Sequence, residues 1–337
     1  MIIVIKPKAK KEDIARLKEK IREKGLKYLT FMEKDHILLQ VVGDAKEIET
    51  DGWSSMKCVE NVVQISKEYP LASKEHHQQK TLIPIGDKVL GSEDFVVIAG
   101  PCSVESDAQI MESAKIMKKL GIRIMRASAF KPRTSPYAFQ GMGIEGLKLL
   151  QKVREKTGML VETEVMDVRD VPIAAQYVDV LRVGARNMQN FDLLKEMGKI
   201  DKPVILKRGI AATINEFLMA AEYIMMNGNR QVILCERGIR TFETAYRNTL
   251  DLLAVAILKK ETHLPVIVDP SHAAGRRDLI APLCLASAAV GADGLIVEAH
   301  PNPEEAKSDG EQALYPEQLE KILKDLKPIC AAVGRRL

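Results

Sequence analysis

The sequence has few aromatic residues and no long apolar run, and each shortage excludes a class of protein. Phe, Trp and Tyr make up only 4% of the 337 residues, which leaves little material for stacking on nucleic-acid bases. The formal net charge of +4 is too small to indicate nucleic-acid binding by itself. No apolar stretch approaches the roughly 20 residues of a membrane-spanning helix. We therefore expect neither a nucleic-acid partner nor a membrane partner.

Cysteine is also scarce, and its distribution indicates a reducing compartment. The five cysteines are an odd, scattered set rather than the even set of a disulfide framework. The first residues, MIIVIKP, read as a strand and lack the charged start and cleavage site of a signal peptide. We therefore expect a cytoplasmic protein. Apolar residues make up 46% of the chain and charged residues 28%, so we also expect a sizeable core with a solvated surface.

Residues 1–67 have the pattern of a small α+β unit. Four β-like runs alternate with two helix-like runs, in the order Ile2–Lys6, Glu12–Lys24, Leu26–Phe31, His36–Val42, Ala45–Asp51 and Val59–Ile65. This βαββαβ order is typical of a ferredoxin-like domain. A polar linker and a hairpin at Thr81–Leu90 follow. We expect domains at 1–67 and 94–337, joined by the linker and hairpin at 68–93.

From Asp94 onward, short apolar runs alternate with helix-length segments. Eight such runs occur, at Phe95–Ala99, Ile122–Met125, Met159–Thr163, Val180–Val183, Val204–Leu206, Val232–Leu234, Val266–Val268 and Leu295–Val297. Apolar strands alternating with helices indicate a parallel sheet covered on both faces. Eight units predict an α/β fold, a closed (β/α)8 TIM barrel preceded by the small ferredoxin-like domain. The alternative is an open doubly wound sheet, but Gly100-Pro101-Cys102 after the first strand is not a dinucleotide-binding glycine fingerprint.

Positively charged side chains recur just after the strands, where barrel enzymes build their active sites. The cations at these positions are Arg126, Lys131, Arg133, Arg186, Lys207 and Arg237. Converging cations repel one another unless an anion lies between them, and Arg and Lys suit phosphate and carboxylate oxygens. Any single one could instead pair with a neighbouring acid. The set as a whole predicts a pocket for phosphorylated substrates.

A second group of strand-end side chains has the chemistry of metal ligands. Its members, from strands one, seven and eight, are Cys102, His272, Glu298 and Asp309. These strands adjoin when a barrel closes, and thiolate, imidazole and carboxylates bind divalent transition metals. A mixed site of this kind accepts Mn, Fe, Co, Zn or Cu, so we expect one divalent ion per subunit and no organic cofactor. The remaining cysteines, Cys58, Cys235, Cys284 and Cys330, are interpreted as inert packing residues.

Several multi-residue motifs occur in a fixed order along the second domain. They are Ala99-Gly100-Pro101-Cys102-Ser103-Val104-Glu105, Lys131-Pro132-Arg133-Thr134-Ser135-Pro136, Gly184-Ala185-Arg186-Asn187, Leu206-Lys207-Arg208-Gly209, Cys235-Glu236-Arg237-Gly238 and Asp269-Pro270-Ser271-His272. In these motifs residues 94–337 resemble the class I 3-deoxy-D-arabino-heptulosonate 7-phosphate (DAHP) synthases. Residues 1–67 resemble the ferredoxin-like extension of some members of the β subclass.

The resemblance implies a metal-dependent condensation. Phosphoenolpyruvate, D-erythrose 4-phosphate and water would give DAHP and phosphate, the first step of the shikimate pathway to aromatic amino acids. The residues implied to bind phosphoenolpyruvate are Arg126, Lys131, Arg186, Lys207 and Arg237. The sugar phosphate would be bound by Arg133 and Thr134.

Catalytic roles are implied for four residues, which are Cys102, Lys131, Glu164 and His272. Lys131 would protonate the new alkoxide, and Glu164 would position the attacking water. Cys102 and His272 would act with Glu298 and Asp309 as ligands of the metal, which would serve as a Lewis acid.

The sister family offers a competing activity. It makes 3-deoxy-D-manno-octulosonate 8-phosphate from arabinose 5-phosphate, and its second-strand motif is of a Lys-Ala-Asn-Arg type. Lys131-Pro132-Arg133-Thr134 at that place favours erythrose 4-phosphate. A non-catalytic anion-binding barrel and a metal-dependent aldolase of another class also stay open at this point.

For residues 1–67 the resemblance implies an allosteric module that binds tyrosine or phenylalanine between the subunits of a homotetramer. The alternative is a packing or solubility extension, since the sequence of this unit contains no cluster of catalytic side chains. His36 is interpreted as an ordinary strand-edge residue.

Overall fold

The computed structural model describes residues 1–33, 36–42, 51–63, 67–133 and 135–337. The chain forms two compact units, Met1–Pro70 and Leu71–Leu337. Within those described ranges, no helix combines the length and the apolar character needed to cross a membrane.

In its described residues, the first unit is a four-stranded sheet with two helices. Its elements are β1 (Ile2–Ile5), α1 (Lys11–Glu23), β2 (Lys27–Glu33), β3 (His36–Val42), α2 (Asp51–Ser54) and β4 (Val59–Val63). The strand order is β2-β3-β1-β4 with every adjacent pair antiparallel, so the predicted ferredoxin-like arrangement is confirmed. Residues 45–50 of the predicted second helix and residues 64–65 of the predicted last strand lie outside the described residues.

One face of this sheet is buried by the first helix. Ile3 and Ile5 are fully buried while Ile2 and Val4 are partly exposed, as the period of two in a one-sided sheet requires. Leu17 and Ile21, four residues apart on α1, join the same apolar cluster. Burial of this helix stripe against the sheet provides the unit with its own core.

The second unit is a closed barrel of eight parallel strands, which confirms the predicted fold class. The strands are β7 (Val96–Gly100), β8 (Ile124–Arg126), β9 (Leu160–Val165), β10 (Val180–Val183), β11 (Val204–Lys207), β12 (Val232–Glu236), β13 (Val266–Val268) and β14 (Gly294–Glu298). Neighbours along the chain pair with one another, and β14 pairs with β7 to close the ring.

Helices surround the barrel. They are α3 (Asp107–Lys119), α4 (Gly143–Thr157), α5 (Val171–Tyr177), α6 (Phe191–Met197), α7 (Ile214–Met226), α8 (Leu252–Glu261), α9 (Pro270–Ala274), α10 (Ile280–Ala289) and α11 (Pro316–Ala332). Local sequence sets several of their ends. Thr213 and Glu216 form a capping box that starts α7, and Gly158, with a φ of 71°, ends α4.

A hairpin fills the amino end of the barrel. The hairpin predicted at Thr81–Leu90 is confirmed as β5 (Ile83–Ile85) paired with β6 (Lys88–Leu90). Ile83, Ile85 and Leu90 pack in one apolar cluster with residues from the starts of the barrel strands, such as Val96 and Val180. This end of the barrel is therefore packed solid, and ligands must enter at the carboxyl end.

Candidate active site

A cavity of about 280 Å³ opens at the carboxyl ends of the barrel strands. Within the described part of the chain, the cations that line it are Lys131, Arg133, Arg182, Arg186, Lys207, Arg237 and Arg247. Glu164, His272 and Asp309 also line its wall. Such an excess of positive charge in one cavity suits a ligand that carries several negative charges.

The structure brings five of the predicted substrate-binding residues to this cavity. They are Lys131, Arg133, Arg186, Lys207 and Arg237. Arg126 is placed differently, because as the last residue of β8 it points into the barrel and is fully buried. Its Nη2 lies 3.1 Å from Glu298 Oε1, and it is not among the described lining residues. Thr134 lies outside the described residues.

The four predicted metal ligands lie beside the cavity. The ligand atoms of Cys102, Glu298 and Asp309 all lie within 4.8 Å of one another. The Cys102 thiol donates to Asp309 Oδ2 at 3.0 Å. His272 Nε2 lies 3.5 Å from Glu298 Oε1 and 4.0 Å from Asp309 Oδ2. The closed barrel explains the cluster, because β7, β13 and β14, which precede these residues, are adjacent.

These residues fit a divalent metal. Glu298 Oε1 is buried and accepts no hydrogen bond, and its charged neighbours are Arg126 Nη2 at 3.1 Å and His272 Nε2 at 3.5 Å. His272 Nδ1 lies 2.8 Å from Asp269 Oδ2, which leaves Nε2 facing the cluster. One sulfur, one nitrogen and two carboxylates are a donor set for transition metals rather than for magnesium or calcium.

The pKa of the thiol in this cluster is shifted in the opposite direction to the pKa values of His272 and Glu298. Burial and the neighbouring Glu298 raise the pKa of the Cys102 thiol to about 12, while Lys131 acts in the opposite direction. Lys131 Nζ lies 2.7 Å from Cys102 Sγ. Burial lowers the pKa of His272 to about 4, so its imidazole is neutral at pH 7, the form that binds metals. Burial alone would raise the pKa of Glu298, but His272 and Arg126 hold it below its ordinary value.

Buried ion pairs join strands at the cavity wall, and the positions after the strands did not predict them. Arg182 on β10 contacts Glu162 and Glu164 on β9. Lys207 on β11 contacts Asp269, which follows β13. Arg182 lies within a strand rather than after it, so a search of the residues after each strand passes over it. The signal that would have found it is the period of two along the inward face of a strand.

Other charged residues near the strand ends have structural partners. Arg208 binds Glu236 and Asp251 through Nη1, at 3.0 and 2.9 Å, and lies outside the described cavity lining. Cys235 packs in the apolar cluster of the barrel interior, as interpreted. The other cysteines outside the metal cluster, Cys58, Cys284 and Cys330, are buried and form no disulfide.

Comparisons with known proteins match both units. Residues 68–332 match the model of the DAHP synthetase I family, and residues 1–67 match that of the DAHP synthase ferredoxin-like domain. A phospho-2-dehydro-3-deoxyheptonate aldolase of Thermotoga maritima is 48% identical over 99% of both chains. A 2-dehydro-3-deoxyphosphooctonate aldolase of Syntrophotalea carbinolica is 33% identical over 72% of this chain and 93% of its own length.

Two solved structures have a fold similar to that of this chain. The crystal structure of the Thermotoga maritima DAHP synthase superimposes with a TM-score of 0.79 at 47% identity, covering 99% of this chain and 98% of that one. A truncated form of the 3-deoxy-D-arabino-heptulosonate 7-phosphate synthase of that organism gives 0.74 at 48% identity, over 80% of this chain and 98% of its own. The family match spans far more than half of the barrel unit, and the chain belongs to the DAHP synthetase I family.

Proposed function

We propose that this protein is a DAHP synthase, which condenses phosphoenolpyruvate with D-erythrose 4-phosphate and water to give DAHP and phosphate. The observation that carries the proposal is the 48% identity to a curated enzyme of this activity over 99% of both chains. The cavity supports it independently, because it places clustered cations beside a set of metal-type side chains.

Phosphoenolpyruvate needs several cations, since it carries both a phosphate and a carboxylate. Arg186, Lys207 and Arg237 supply them from the ends of three successive strands, β10, β11 and β12. Burial lowers the pKa of Arg237 and of Lys207, while the Asp269 carboxylate acts in the opposite direction on both. Arg126 acts one layer deeper, holding the Glu298 carboxylate.

The sugar phosphate binds at Arg133 and Thr134 in our proposal. Arg133 lines both the main cavity and a second, adjoining one, which Lys307 and Gln312 also line. Thr134, its neighbour in the sequence, completes this subsite in our proposal. Two phosphate subsites separated by the Cys102–Asp309 cluster leave the aldehyde of the sugar between them.

Cys102, His272, Glu298 and Asp309 hold one divalent ion, of Mn, Fe, Co, Zn or Cu. When bound, this ion supplies Lewis-acid polarisation of the aldehyde carbonyl. Metal binding requires the Cys102 thiolate, and the Lys131 ammonium at 2.7 Å favours that charged form.

The chain's own residues move the protons. C3 of phosphoenolpyruvate bonds to the aldehyde carbon, and Lys131 protonates the oxygen that becomes the new hydroxyl. Glu164 orients the water that adds to C2, and the C2–O bond to phosphate then breaks. Of the two protons of that water, one restores Lys131 and the other leaves with the phosphate.

The proposal is tested by the choice of acceptor. Phosphate release from phosphoenolpyruvate is measured with erythrose 4-phosphate and, in parallel, with arabinose 5-phosphate. We expect a kcat/KM at least tenfold higher for erythrose 4-phosphate, since a misfit pocket costs about 1–3 kcal/mol or more. A preference for arabinose 5-phosphate would instead assign the chain to the activity of the 33% identical relatives. No release with either sugar would support the anion-binding barrel.

For the first unit we propose a regulatory function, inhibition by tyrosine or phenylalanine in a cytoplasmic homotetramer. The match of residues 1–67 to a domain found in DAHP synthases supports it. We expect deletion of residues 1–67 to leave an active but feedback-insensitive enzyme. Inhibition that is equal in the full chain and in the deletion variant would place the effector on the barrel, and light scattering of the full chain measures the subunit number.

A further inference from the structure

Arg182 lines the cavity, but the proposed reaction gives it no role. It lies on β10, four residues before Arg186, and its side chain is only 2% exposed. A guanidinium at this depth must be fully paired, because an unpaired buried charge costs several kcal/mol. The residues that pair with Arg182 therefore indicate its role.

All three nitrogens of the Arg182 guanidinium are engaged. Nε donates to Glu162 Oε1 at 2.6 Å, Nη1 donates to Glu164 Oε2 at 2.9 Å, and Nη2 donates to Ser128 Oγ at 2.9 Å. These partners lie on β9 and on the segment after β8, so one planar group ties three successive strands together. A guanidinium held at all three nitrogens has one orientation, and it imposes that orientation on its partners.

The contact with Glu164 engages only one carboxylate oxygen. Within the described part of the chain, Oε1 of Glu164 accepts no hydrogen bond, while Oε2 is held by Arg182. Oε1 lies against the backbone of Gly184, where an added Cβ would come within 2.0 Å of it. Gly184 itself lines the cavity. Arg182 thus leaves Oε1 as the oxygen available to a ligand.

Charged and titratable side chains from several elements face Glu164. They are Arg182 from β10, Lys131 from the segment after β8, Lys207 from β11 and His272 from α9, whose imidazole is neutral at pH 7. Burial alone would raise the pKa of Glu164, but the cations among these side chains, led by Arg182, hold it below its ordinary value. Glu162 is a second buried carboxylate on the same strand and contacts the same guanidinium. Without Arg182, the two buried carboxylates would lose their common cation, and the pKa of Glu164 would rise.

We propose that Arg182 is a positioning residue, which fixes Glu164 as an ionised carboxylate with Oε1 turned toward the substrate. The role of Glu164 in orienting water belongs to the proposed function, so this inference rests on that function. Arg182 itself need not touch the substrate.

The test is the pH dependence of Arg182→Met. We expect kcat on the plateau above the acid limb to fall at least tenfold, because Glu164 loses its fixed orientation, and the acid limb of kcat to move up by about 1–3 pH units, because the nearest cation has been removed. The KM values for both substrates should stay close to wild type. Arg182→Lys, which keeps the charge, should recover part of the shift. If Arg182→Met does not fold, the double variant Arg182→Met/Glu162→Gln removes one buried charge of each sign and should move the limb in the same direction.

Arg208→Met is the matched control, because Arg208 is also a buried arginine between two carboxylates but does not line the cavity. It should lose stability with an unmoved acid limb. Two results would overturn the proposal. One is an unmoved limb in Arg182→Met, as in the control. The other is a large rise in the KM for phosphoenolpyruvate alone, which would make Arg182 a direct substrate contact.

An infrared measurement separates this inference from the proposed function. In an infrared pH titration, the protonated carboxyl band that Glu164→Gln removes should persist to a pH about 1–3 units higher in Arg182→Met than in the wild type. A band that titrates at the same pH in both proteins overturns the role of Arg182, whatever the enzyme's activity. A wild-type enzyme that prefers another acceptor would contradict only the proposed function.

Discussion

At its amino end the barrel interior is filled by aliphatic side chains, whereas at its carboxyl end the same strands carry charged side chains inward. On each of five strands, an aliphatic residue is followed two positions later by a charged residue that points the same way. The inward pairs are Ile124 and Arg126, Val180 and Arg182, Ile205 and Lys207, Ile267 and Asp269, and Ile296 and Glu298. All ten side chains are buried. Position along one face of a strand therefore decides whether a residue packs the core or contributes to the site.

The comparison shows how the barrel supports charges that would otherwise destabilise it. Several buried cations at the carboxyl end contact a buried carboxylate, as Arg126 does with Glu298 and Lys207 with Asp269. Removing one member of a buried ion pair would lower the free energy of unfolding by about 3–5 kcal/mol, because the other charge would stay buried without a counter-charge. The apolar end has no such requirement, and its closely packed aliphatic cluster supplies hydrophobic stabilisation instead.

The largest effect on turnover is expected at the carboxyl end, from Lys131→Ala. Removal of the proposed proton donor should lower kcat by about 10²–10⁴-fold. The protein should stay folded, because the Cys102 thiol that Lys131 contacts is neutral once the ammonium is gone. Steady-state kinetics measure kcat, and circular dichroism shows whether the variant is folded.

Lys148→Ala is the control, since Lys148 forms an exposed pair with Glu145 on α4. Such exposed pairs contribute little to stability, so Lys148→Ala should match the wild type in both measurements. A wild-type kcat in Lys131→Ala would contradict the proposed role of Lys131 as the proton donor.

A smaller effect is expected from Gly184→Ala, which disturbs the position of Glu164 without changing any charge. The backbone at Gly184 has a φ of −68°, which alanine adopts freely, so only the contact with Glu164 Oε1 is at issue. Displacing a catalytic group by about 1 Å can cost about 10²-fold in rate. We expect a loss of that order in kcat.

Gly209→Ala is the matched glycine substitution after the next strand. An added Cβ there meets nothing closer than 3.4 Å, an ordinary van der Waals contact. It should keep wild-type activity. Equal activity in the two alanine variants would mean that the placement of Glu164 does not limit turnover.

The smallest effect on turnover is expected at the amino end, from Ile205→Ala. Ile205 is fully buried in the aliphatic cluster, two residues before Lys207 on the same strand. The substitution should lower the free energy of unfolding by about 2–5 kcal/mol while leaving kcat per folded molecule unchanged. Urea unfolding and kinetics below the transition measure the two quantities. A loss of kcat as large as that of Gly184→Ala would show that packing at the amino end of the barrel affects turnover at the carboxyl end.

Much of this arrangement could be predicted from the sequence, because it depends on periodic and local signals. The eight apolar runs located the barrel strands to within a few residues, and the closed topology then brought Cys102, Glu298 and Asp309 together. The depth of each charge was not predictable from position after a strand. Arg126 and Arg182 both point inward, and their partners, Glu298 and Glu162, come from other strands. Only the closed barrel brings those pairs into contact.

We propose that the carboxyl end of the barrel condenses the two substrates with the help of one divalent ion held by Cys102, His272, Glu298 and Asp309. The most direct measurement is phosphate release with erythrose 4-phosphate during titration of chelator-treated protein with Mn²⁺, with bound metal counted in parallel. We predict no activity before titration, activity that rises with occupancy to one ion per chain, and neither binding nor activity in Cys102→Ala. Full activity of the metal-free protein, or undiminished metal binding by Cys102→Ala, would contradict the account.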